Sequence, residues 1–306
     1  MTATTAPAAL SAARRTDWRV PVAIVVCMVL WASAFVGIRA GLAGYAPGHY
    51  ALLRFLVASA TLGVIAVLKR MRPPRPRDVP ALLLHGFLGF TVYHACLNYG
   101  EQTVSAAAAC FLIIAIPIFT TLLAVLFLKE TLTRRAVFGV LVSVVGIALI
   151  SFGEGDSLDL NVGALYVLVA AFAESVFIVL QKPFLRRYSP LEYVTWTVLA
   201  GTFFLLAFSP GFFAAVAAAP LPATLAGIYL GIFPAAVAYV AWAYALARVE
   251  ASKIVVTQYA LPGLTLLIGW AWLGELPTMV SLAGGLVALF GVVIITLPAR
   301  RAVPAA

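Results

Sequence analysis

Long apolar runs, separated by short polar links, cover almost the whole of this sequence. A helix needs about 20 apolar residues to cross the hydrocarbon core of a membrane, and a soluble chain cannot expose so many apolar side chains. With 64% hydrophobic and 10% charged residues, no sizeable soluble domain remains. We predict an all-α membrane protein with ten spanning helices, at residues 19–40, 48–69, 79–100, 103–128, 134–152, 162–185, 191–208, 221–246, 251–273 and 278–297.

The basic residues indicate how these helices are oriented. Cytoplasmic loops of membrane proteins carry an excess of Lys and Arg. If the N-terminus is cytoplasmic, all 20 Lys and Arg residues except Arg39 and Arg54 fall in or beside predicted cytoplasmic segments. The net charge of +9 therefore indicates membrane orientation rather than nucleic-acid binding. We predict both termini to be cytoplasmic, in the inner (plasma) membrane, with a disordered tail at 1–17 and a second tail at 299–306.

The two halves of the sequence resemble each other. A shift of 145 residues aligns them, and matches between Pro, Glu, Thr and Gly are the least likely to arise by chance in apolar helices. These matches are Pro117/Pro262, Thr120/Thr265, Glu130/Glu275, Thr133/Thr278, Gly139/Gly284 and Gly146/Gly291. Five predicted helices separate the members of each pair, so the second copy should run through the membrane in the opposite direction. Inverted repeats of this kind are typical of transporters whose halves open alternately to the two sides. We predict two repeats, at 18–152 and 161–298.

The repeated motif resembles that of a known family. Each half has a helix with Pro-x-x-Thr, a turn with Glu-x-x-Thr and a helix with Gly-x6-Gly, similar to the EamA repeat of the drug/metabolite transporter superfamily. The run Trp31-Ala-Ser-Ala-Phe35, and Pro47 with Arg54, resemble the start of that repeat. Within the family the sequence is most similar to YddG-type exporters of aromatic amino acids. The resemblance implies ten helices around a central cavity and export of small metabolites.

Polar side chains inside the predicted membrane helices are few, and each is costly unless it faces a cavity or a partner. In helix 3, His94 and Asn98 recur on one face, and in helix 6 Gln181 follows Glu174 at i+7. Glu174 either holds a substrate ammonium, takes a proton, or joins helices as a protonated or paired glutamate. His94 either titrates near neutral pH or bonds a neighbouring helix. We predict that these four residues line a substrate cavity.

Aromatic residues extend this predicted cavity. The 145-residue shift pairs His94 with Tyr239, which shares a helix face with Trp242. Aromatic rings at these positions and at Trp31 can stack on an aromatic substrate or hold a cation. Packing and contact with lipid are equally compatible with the pattern. We expect Trp31, Tyr239 and Trp242 to line the cavity.

Pro117 and Pro262 interrupt equivalent helices in the two halves. Each removes a backbone donor and frees a carbonyl. Paired interruptions at matching positions indicate a transport site, or a kink that only shapes the bundle. Gln258 lies one turn before Pro262 and belongs to the predicted cavity. Arg54, near the outer end of helix 2, is expected to extend to the lipid headgroups, with contact to a substrate carboxylate as the second interpretation.

These features predict a secondary transporter, not an enzyme, that exports amino acids or similar small metabolites, with aromatic or other neutral amino acids preferred. A nucleotide-sugar or organophosphate carrier is the main alternative, and a membrane-embedded enzyme the remote one. The sequence contains neither a Gly-x4-Gly-Lys-Ser/Thr loop nor a His-Glu-x-x-His motif, so we expect no cofactor and no metal. The expected partners are a small substrate and the bilayer, with no nucleic acid. We expect a monomer or a weak homo-oligomer.

Overall fold

The computed structural model describes residues 17–128, 134–153, 161–181, 183–249, 254 and 256–296, and among these residues the regular structure is helical. The predicted tails, apart from Asp17, fall outside the described residues. So do Glu130 and Thr133 of the repeated motif. The longer helices are α1 Arg19–Leu42, α2 Pro47–Leu68, α3 Val79–Gly86, α4 Tyr93–Gly100, α5 Ala106–Ile113, α6 Ala115–Leu128, α7 Arg134–Gly153, α8 Val162–Gln181, α9 Pro190–Leu205, α10 Phe212–Ala218, α11 Leu221–Ile232, α12 Tyr239–Leu246, α13 Leu261–Leu273 and α14 Met279–Thr296.

Seven helical segments in the described part of the chain are long and apolar enough to cross a membrane: Arg19–Leu42, Pro47–Leu68, Pro76–Gly100, Arg134–Gly153, Val162–Arg186, Pro190–Phe208 and Leu221–Leu246. Shorter apolar helices occupy Ala106–Thr120 and Met279–Ile295. The predicted fourth span is interrupted at Ile114, between α5 and α6. Pro117 lacks the N–H that would bond to the carbonyl of Ile113, which weakens the helix at this point. The count of ten spans stays a prediction.

Local sequence signals define several helix starts. Proline stands in the first turn of α2 and of α9, where its missing N–H is not needed. Ser189 and Glu192 form a reciprocal capping box at the start of α9. Thr278 Oγ1 accepts a hydrogen bond from the backbone N of Ser281 at 3.1 Å, which caps α14. Local sequence therefore specifies where these helices begin, independently of the membrane.

Two π-helical turns occupy similar positions in the two halves. Residues Phe87–Val92 join α3 to α4, and residues Phe233–Ala238 join α11 to α12. A π-turn inserts one extra residue per turn and rotates the helix that follows it, and such turns are frequent at functional sites. Here the first π-turn is followed by Tyr93 and His94, and the second is followed by Tyr239.

Glycines bring α7 and α14 into close contact. A Cβ atom on Gly139 would lie 2.6 Å from the carbonyl oxygen of Gly291, and one on Gly284 would lie 2.8 Å from that of Gly146. Ser143 Oγ donates to the carbonyl of Ala288 at 3.1 Å. The backbones of the two helices therefore touch, as small residues permit in membrane bundles.

Polar contacts tie the bundle at both of its ends. We call the end with the α1–α2 connection the Tyr45 end, where the Tyr45 hydroxyl and Thr224 Oγ1 are 2.7 Å apart. At the opposite end, the Asp78 end, Asp78 accepts hydrogen bonds from Arg187 Nη1 at 2.9 Å and from the Tyr188 hydroxyl at 2.8 Å. Each pair joins elements that are distant in the sequence. The cavity described below lies between these two ends.

Candidate substrate cavity

A cavity lies in the interior of the bundle, with an empty volume of about 820 Å³ that includes space open to solvent. Its wall is mostly apolar, with Phe35, Ile38 and Leu97 toward the Tyr45 end and Ile178 and Leu261 farther from that end. The described lining residues that carry a polar side-chain atom are Trp31, Arg54, Tyr93, His94, Cys110, Glu174, Tyr239, Gln258 and Tyr259. An apolar wall with a few convergent polar groups is the usual form of a small-molecule site.

The structure brings most of the residues predicted for the site to this one cavity. Trp31, Arg54, His94, Pro117, Glu174, Tyr239 and Gln258 all line it. Four predicted residues are not among the described lining residues: Asn98, Gln181, Trp242 and Pro262. All four are buried, and two of them contact wall residues from behind: Asn98 contacts Arg54 and Trp242 contacts Trp31.

Two tyrosines of the wall were not expected from the sequence. Tyr93 precedes His94, and Tyr259 follows Gln258. Adjacent residues on a regular helix diverge by about 100°, so two neighbours such as Tyr93 and His94 would not be expected to face one cavity. The π-turn before Tyr93 and the 3₁₀ turn Val256–Ala260 around Tyr259 change this spacing. Pro262 is the sequence signal that could have indicated Tyr259, whereas no local signal indicated Tyr93.

Arg54 is buried in the cavity wall, with only 1% of its surface exposed. It lies seven residues into α2, about 10 Å from the helix start, so the expectation that it reaches the headgroups is wrong. Its Nη1 donates to Asn98 Oδ1 at 3.2 Å, and Asn98 Nδ2 donates to the carbonyl of Pro47 at 3.0 Å. No carboxylate among the described residues lies within 4.0 Å of Arg54. Glu101 interacts electrostatically with the guanidinium from beyond that distance, so Arg54 is held in place without a direct ion pair among the described residues.

Glu174 is the carboxyl-bearing residue among the described residues of the wall. It is twelve residues into α8, about 18 Å from the helix start, and 7% of its surface is exposed. Its Oε2 is buried and has no hydrogen-bond partner. The described residues provide no Lys, Arg or His within 4.0 Å of its carboxyl group. Among the described residues, Glu174 therefore forms no ion pair between helices, and its role as a protonated glutamate that joins helices stays a prediction.

His94 and Tyr239 meet across the centre of the cavity. His94 Nε2 and the Tyr239 hydroxyl are 3.3 Å apart, so two residues that the 145-residue shift equates touch each other. Trp31 lies against this pair, with its ring centroid 5.3 Å from that of Tyr239. Trp242 packs behind Trp31 at 5.2 Å. The two halves thus contribute one continuous aromatic wall.

Several buried polar atoms in the described part of the chain have no hydrogen-bond partner. The described residues that carry them are Trp31, Arg54, His94, Glu101, Glu174, Gln181 and Trp196. Four of these residues, namely Trp31, Arg54, His94 and Glu174, line the cavity. Each such atom costs about 1–3 kcal/mol unless something bonds to it. Their convergence on one cavity indicates a site that a polar ligand or water completes.

Comparison with known proteins places the chain in a family. A family model described as "EamA-like transporter family" matches it twice, at residues 19–152 and at residues 161–297. This chain belongs to the EamA-like transporter family. It is a multi-pass membrane protein, and it is a transporter rather than an enzyme. Its partners are a small-molecule substrate and the membrane.

Individual relatives agree with this assignment. The chain is 45% identical to the uncharacterized transporter YdfC of Bacillus subtilis over 86% of each protein. It is 39% identical to a "Probable terminal-alkyne amino-acid exporter" of Streptantibioticus cattleyicolor, over 91% of this chain and 95% of the relative. A solved crystal structure superposes with a TM-score of 0.61 at 22% identity, over 92% of this chain and 98% of the other. That last likeness concerns the fold alone.

Proposed function

We propose that this chain is a secondary transporter that exports neutral amino acids by alternating access across the inner (plasma) membrane. The proposal includes ten spanning helices, two inverted repeats at 18–152 and 161–298, and cytoplasmic termini. In this orientation the Tyr45 end is the outer end. The observation that carries the substrate assignment is that a buried cation, Arg54, and a buried carboxyl, Glu174, line one cavity, each without an ionic partner among the described residues.

An α-amino acid has the complementary charges. Its carboxylate would accept hydrogen bonds from Arg54, whose Nε has no partner, because guanidinium groups bind carboxylates with matched geometry. Its ammonium would bind Glu174. The substrate side chain would lie against Trp31, Tyr93 and Tyr239, since aromatic rings bind other rings and cations.

Two further considerations support this substrate class. The 39% identical relative carries the words amino-acid exporter in its description. The aromatic wall supports a preference for aromatic side chains, as in the YddG-type exporters that the sequence resembles. The rest of the wall is apolar, which favours neutral rather than charged side chains. Together these points make phenylalanine, tryptophan and the larger aliphatic amino acids the first substrates to test.

A carrier of nucleotide-sugars or organophosphates is the second candidate class. A phosphate group carries up to two negative charges and usually binds several cationic or backbone donors. Arg54 is the single Lys or Arg among the described residues that line the cavity. The cavity therefore favours a ligand with one carboxylate. The proposal also includes a monomer or a weak homo-oligomer, and no feature of the described cavity lining favours nucleic acid.

The test is counterflow in proteoliposomes that contain the purified protein. Vesicles loaded with unlabelled phenylalanine should accumulate labelled phenylalanine. The free amino acid should compete, whereas its methyl ester and its des-amino acid should compete about tenfold or more weakly, because each lacks one charged contact. Phosphate monoesters should not compete. Absence of counterflow for every amino acid tested would refute the substrate assignment, and competition by phosphate monoesters would favour the second class.

A further inference from the structure

We infer that Glu174 is the proton-binding site of this transporter, and that its carboxyl group binds either a proton or the substrate ammonium but not both. Each amino acid that leaves would then be exchanged for a proton that enters. This inference rests on the proposed function for the identity of the substrate. It adds the driving ion, which the fold and the family do not determine.

The first argument is the position of the carboxyl group. Glu174 lies in the middle of α8 and lines the cavity, so it can be reached from the space through which the substrate passes. Yet its Oε2 is buried without a partner. A buried carboxylate oxygen without a hydrogen-bond donor disfavours the charged form of the group, unless a cation binds to it. The two cations at hand are a proton and the ammonium of the substrate.

The second argument is the set of groups around it. The described charged or titratable groups that line the cavity with Glu174 are Arg54, Tyr93, His94, Cys110, Tyr239 and Tyr259. His85 and Cys96 lie on helices that pack against α8, and Tyr193 interacts with Glu174 electrostatically. The phenols of Tyr93, Tyr193 and Tyr239 interact electrostatically with Glu174, and these phenols carry no positive charge. His85 faces Phe177 and Tyr193 instead, and His94 bonds Tyr239. None of the described groups neutralises Glu174 in place of a proton.

The third argument is that Arg54 lies within the same cavity without pairing with Glu174. Arg54 is directed to Asn98, at 3.2 Å, and no ion pair within 4.0 Å joins it to a described carboxylate. If the two groups paired, each would satisfy the other and no proton would be needed. Because Asn98 holds the guanidinium, Glu174 depends on an external cation.

The exchange balances in protons and in charge. In the empty state Glu174 is a neutral carboxylic acid. When the amino acid binds, the O–H proton passes to water and the carboxylate takes the substrate ammonium, so that carboxyl plus ammonium remain neutral as a pair. After release to the outside, the carboxylate takes a proton from the outer solution and carries it inward. An inward proton gradient then drives outward transport, without any other reactant.

The direct test is proton release on binding. Phenylalanine is added to the purified wild-type protein in weakly buffered detergent solution with a pH indicator. We expect acidification that saturates with binding. We also expect the apparent Kd to rise about tenfold for each pH unit below the titration of the site, as competition with a single proton requires. Binding without proton release would overturn this inference and leave the proposed function intact. If the wild-type protein binds and exchanges no amino acid, the proposed function itself fails.

Variants identify the residue responsible. Glu174→Gln should retain counterflow with binding weakened about tenfold or more, but it should release no proton and ignore an imposed pH gradient. Glu174→Asp should restore part of the proton release. Glu192→Gln is the matched control, because Gln also serves at that position of a capping box and Glu192 lies outside the cavity. Proton release that persists in Glu174→Gln, with His94→Gln abolishing it, would overturn the assignment to Glu174. If Glu174→Gln does not fold, the Asp variant and the wild-type titration still decide.

Discussion

Removal of the positive charge at Arg54 should weaken substrate binding without lowering the thermal stability of the substrate-free protein. The guanidinium is buried, with a single described hydrogen bond, to Asn98 Oδ1, and no described carboxylate within 4.0 Å. A buried charge without a partner costs several kcal/mol, whereas the hydrogen bond contributes about 1.5–3 kcal/mol. In the absence of substrate, Arg54→Gln should therefore unfold at the same temperature as the wild type or higher.

Substrate should stabilise the two proteins differently. A ligand at a hundred times its Kd stabilises a protein by about 2.7 kcal/mol. Loss of a charged hydrogen bond of about 1.5–3 kcal/mol weakens binding roughly ten- to hundredfold. At the same phenylalanine concentration, Arg54→Gln should then gain only about 0.4–1.4 kcal/mol.

The assay is thermal unfolding in detergent, followed by intrinsic fluorescence, with and without phenylalanine. Arg72→Gln is the matched control, because Arg72 is exposed and far from the cavity lining, and it should show the full ligand-induced shift. Equal shifts for Arg54→Gln and the wild type would refute the role of Arg54 in binding the carboxylate. A large loss of stability without ligand would show that the electrostatic interaction of Arg54 with Glu101 outweighs the cost of burying the charge.

Two other substitutions test the packing of α7 against α14 and the Tyr45 end of the bundle. Gly284→Ala should lower the free energy of unfolding by about 1–3 kcal/mol, because its Cβ would lie 2.8 Å from the carbonyl oxygen of Gly146. Gly63→Ala is the control and should be neutral or stabilising, because no described atom lies within 4 Å of the added Cβ. Equal melting temperatures for the two variants would contradict this prediction. Arg39 Nε binds Glu275 Oε2 at 3.3 Å, and Arg39 Nη1 binds the carbonyl of Glu101 at 2.6 Å. Glu275→Gln should change stability by about 1 kcal/mol or less but alter the transport rate. The double exchange Arg39→Glu with Glu275→Arg should recover part of the wild-type rate in the counterflow assay. Absence of recovery would mean that the ion pair does not determine the transport rate.

The apolar runs predicted most of the long helices, because burial in lipid leaves the chain little choice but helix. The predicted start of α7 at residue 134 and of α8 at 162 agrees with the structure. The interruption at Ile114 was not predicted, although Pro117 was singled out, since hydropathy does not distinguish a continuous helix from two stacked ones. The π-turns were also missed, because their extra residue is stabilised by contacts with other helices rather than by local sequence.

The candidate site could be predicted only to the level of helix faces. His94 and Tyr239 followed from the 145-residue shift, and the structure places them in contact. Asn98 and Trp242 share those faces but lie one layer behind, because Arg54 and Trp31 come between them and the cavity. Which of two polar residues reaches a cavity depends on the packing of helices from the other half, and no local pattern encodes it.

The glycine contacts between α7 and α14 have a consequence for movement. The shift that equates Gly139 with Gly284 also equates Gly291 with Gly146, so the Gly139–Gly291 contact and the Gly284–Gly146 contact are images of each other, and both are present in one structure. In the proposed mechanism the two halves exchange conformations between the inward-open and outward-open states. Because exchanging the two halves converts each of these contacts into the other, the interface can be the same in both states. The contact between α7 and α14 can therefore stay unchanged while the rest of the bundle moves. A covalent cross-link between these two helices should leave transport active.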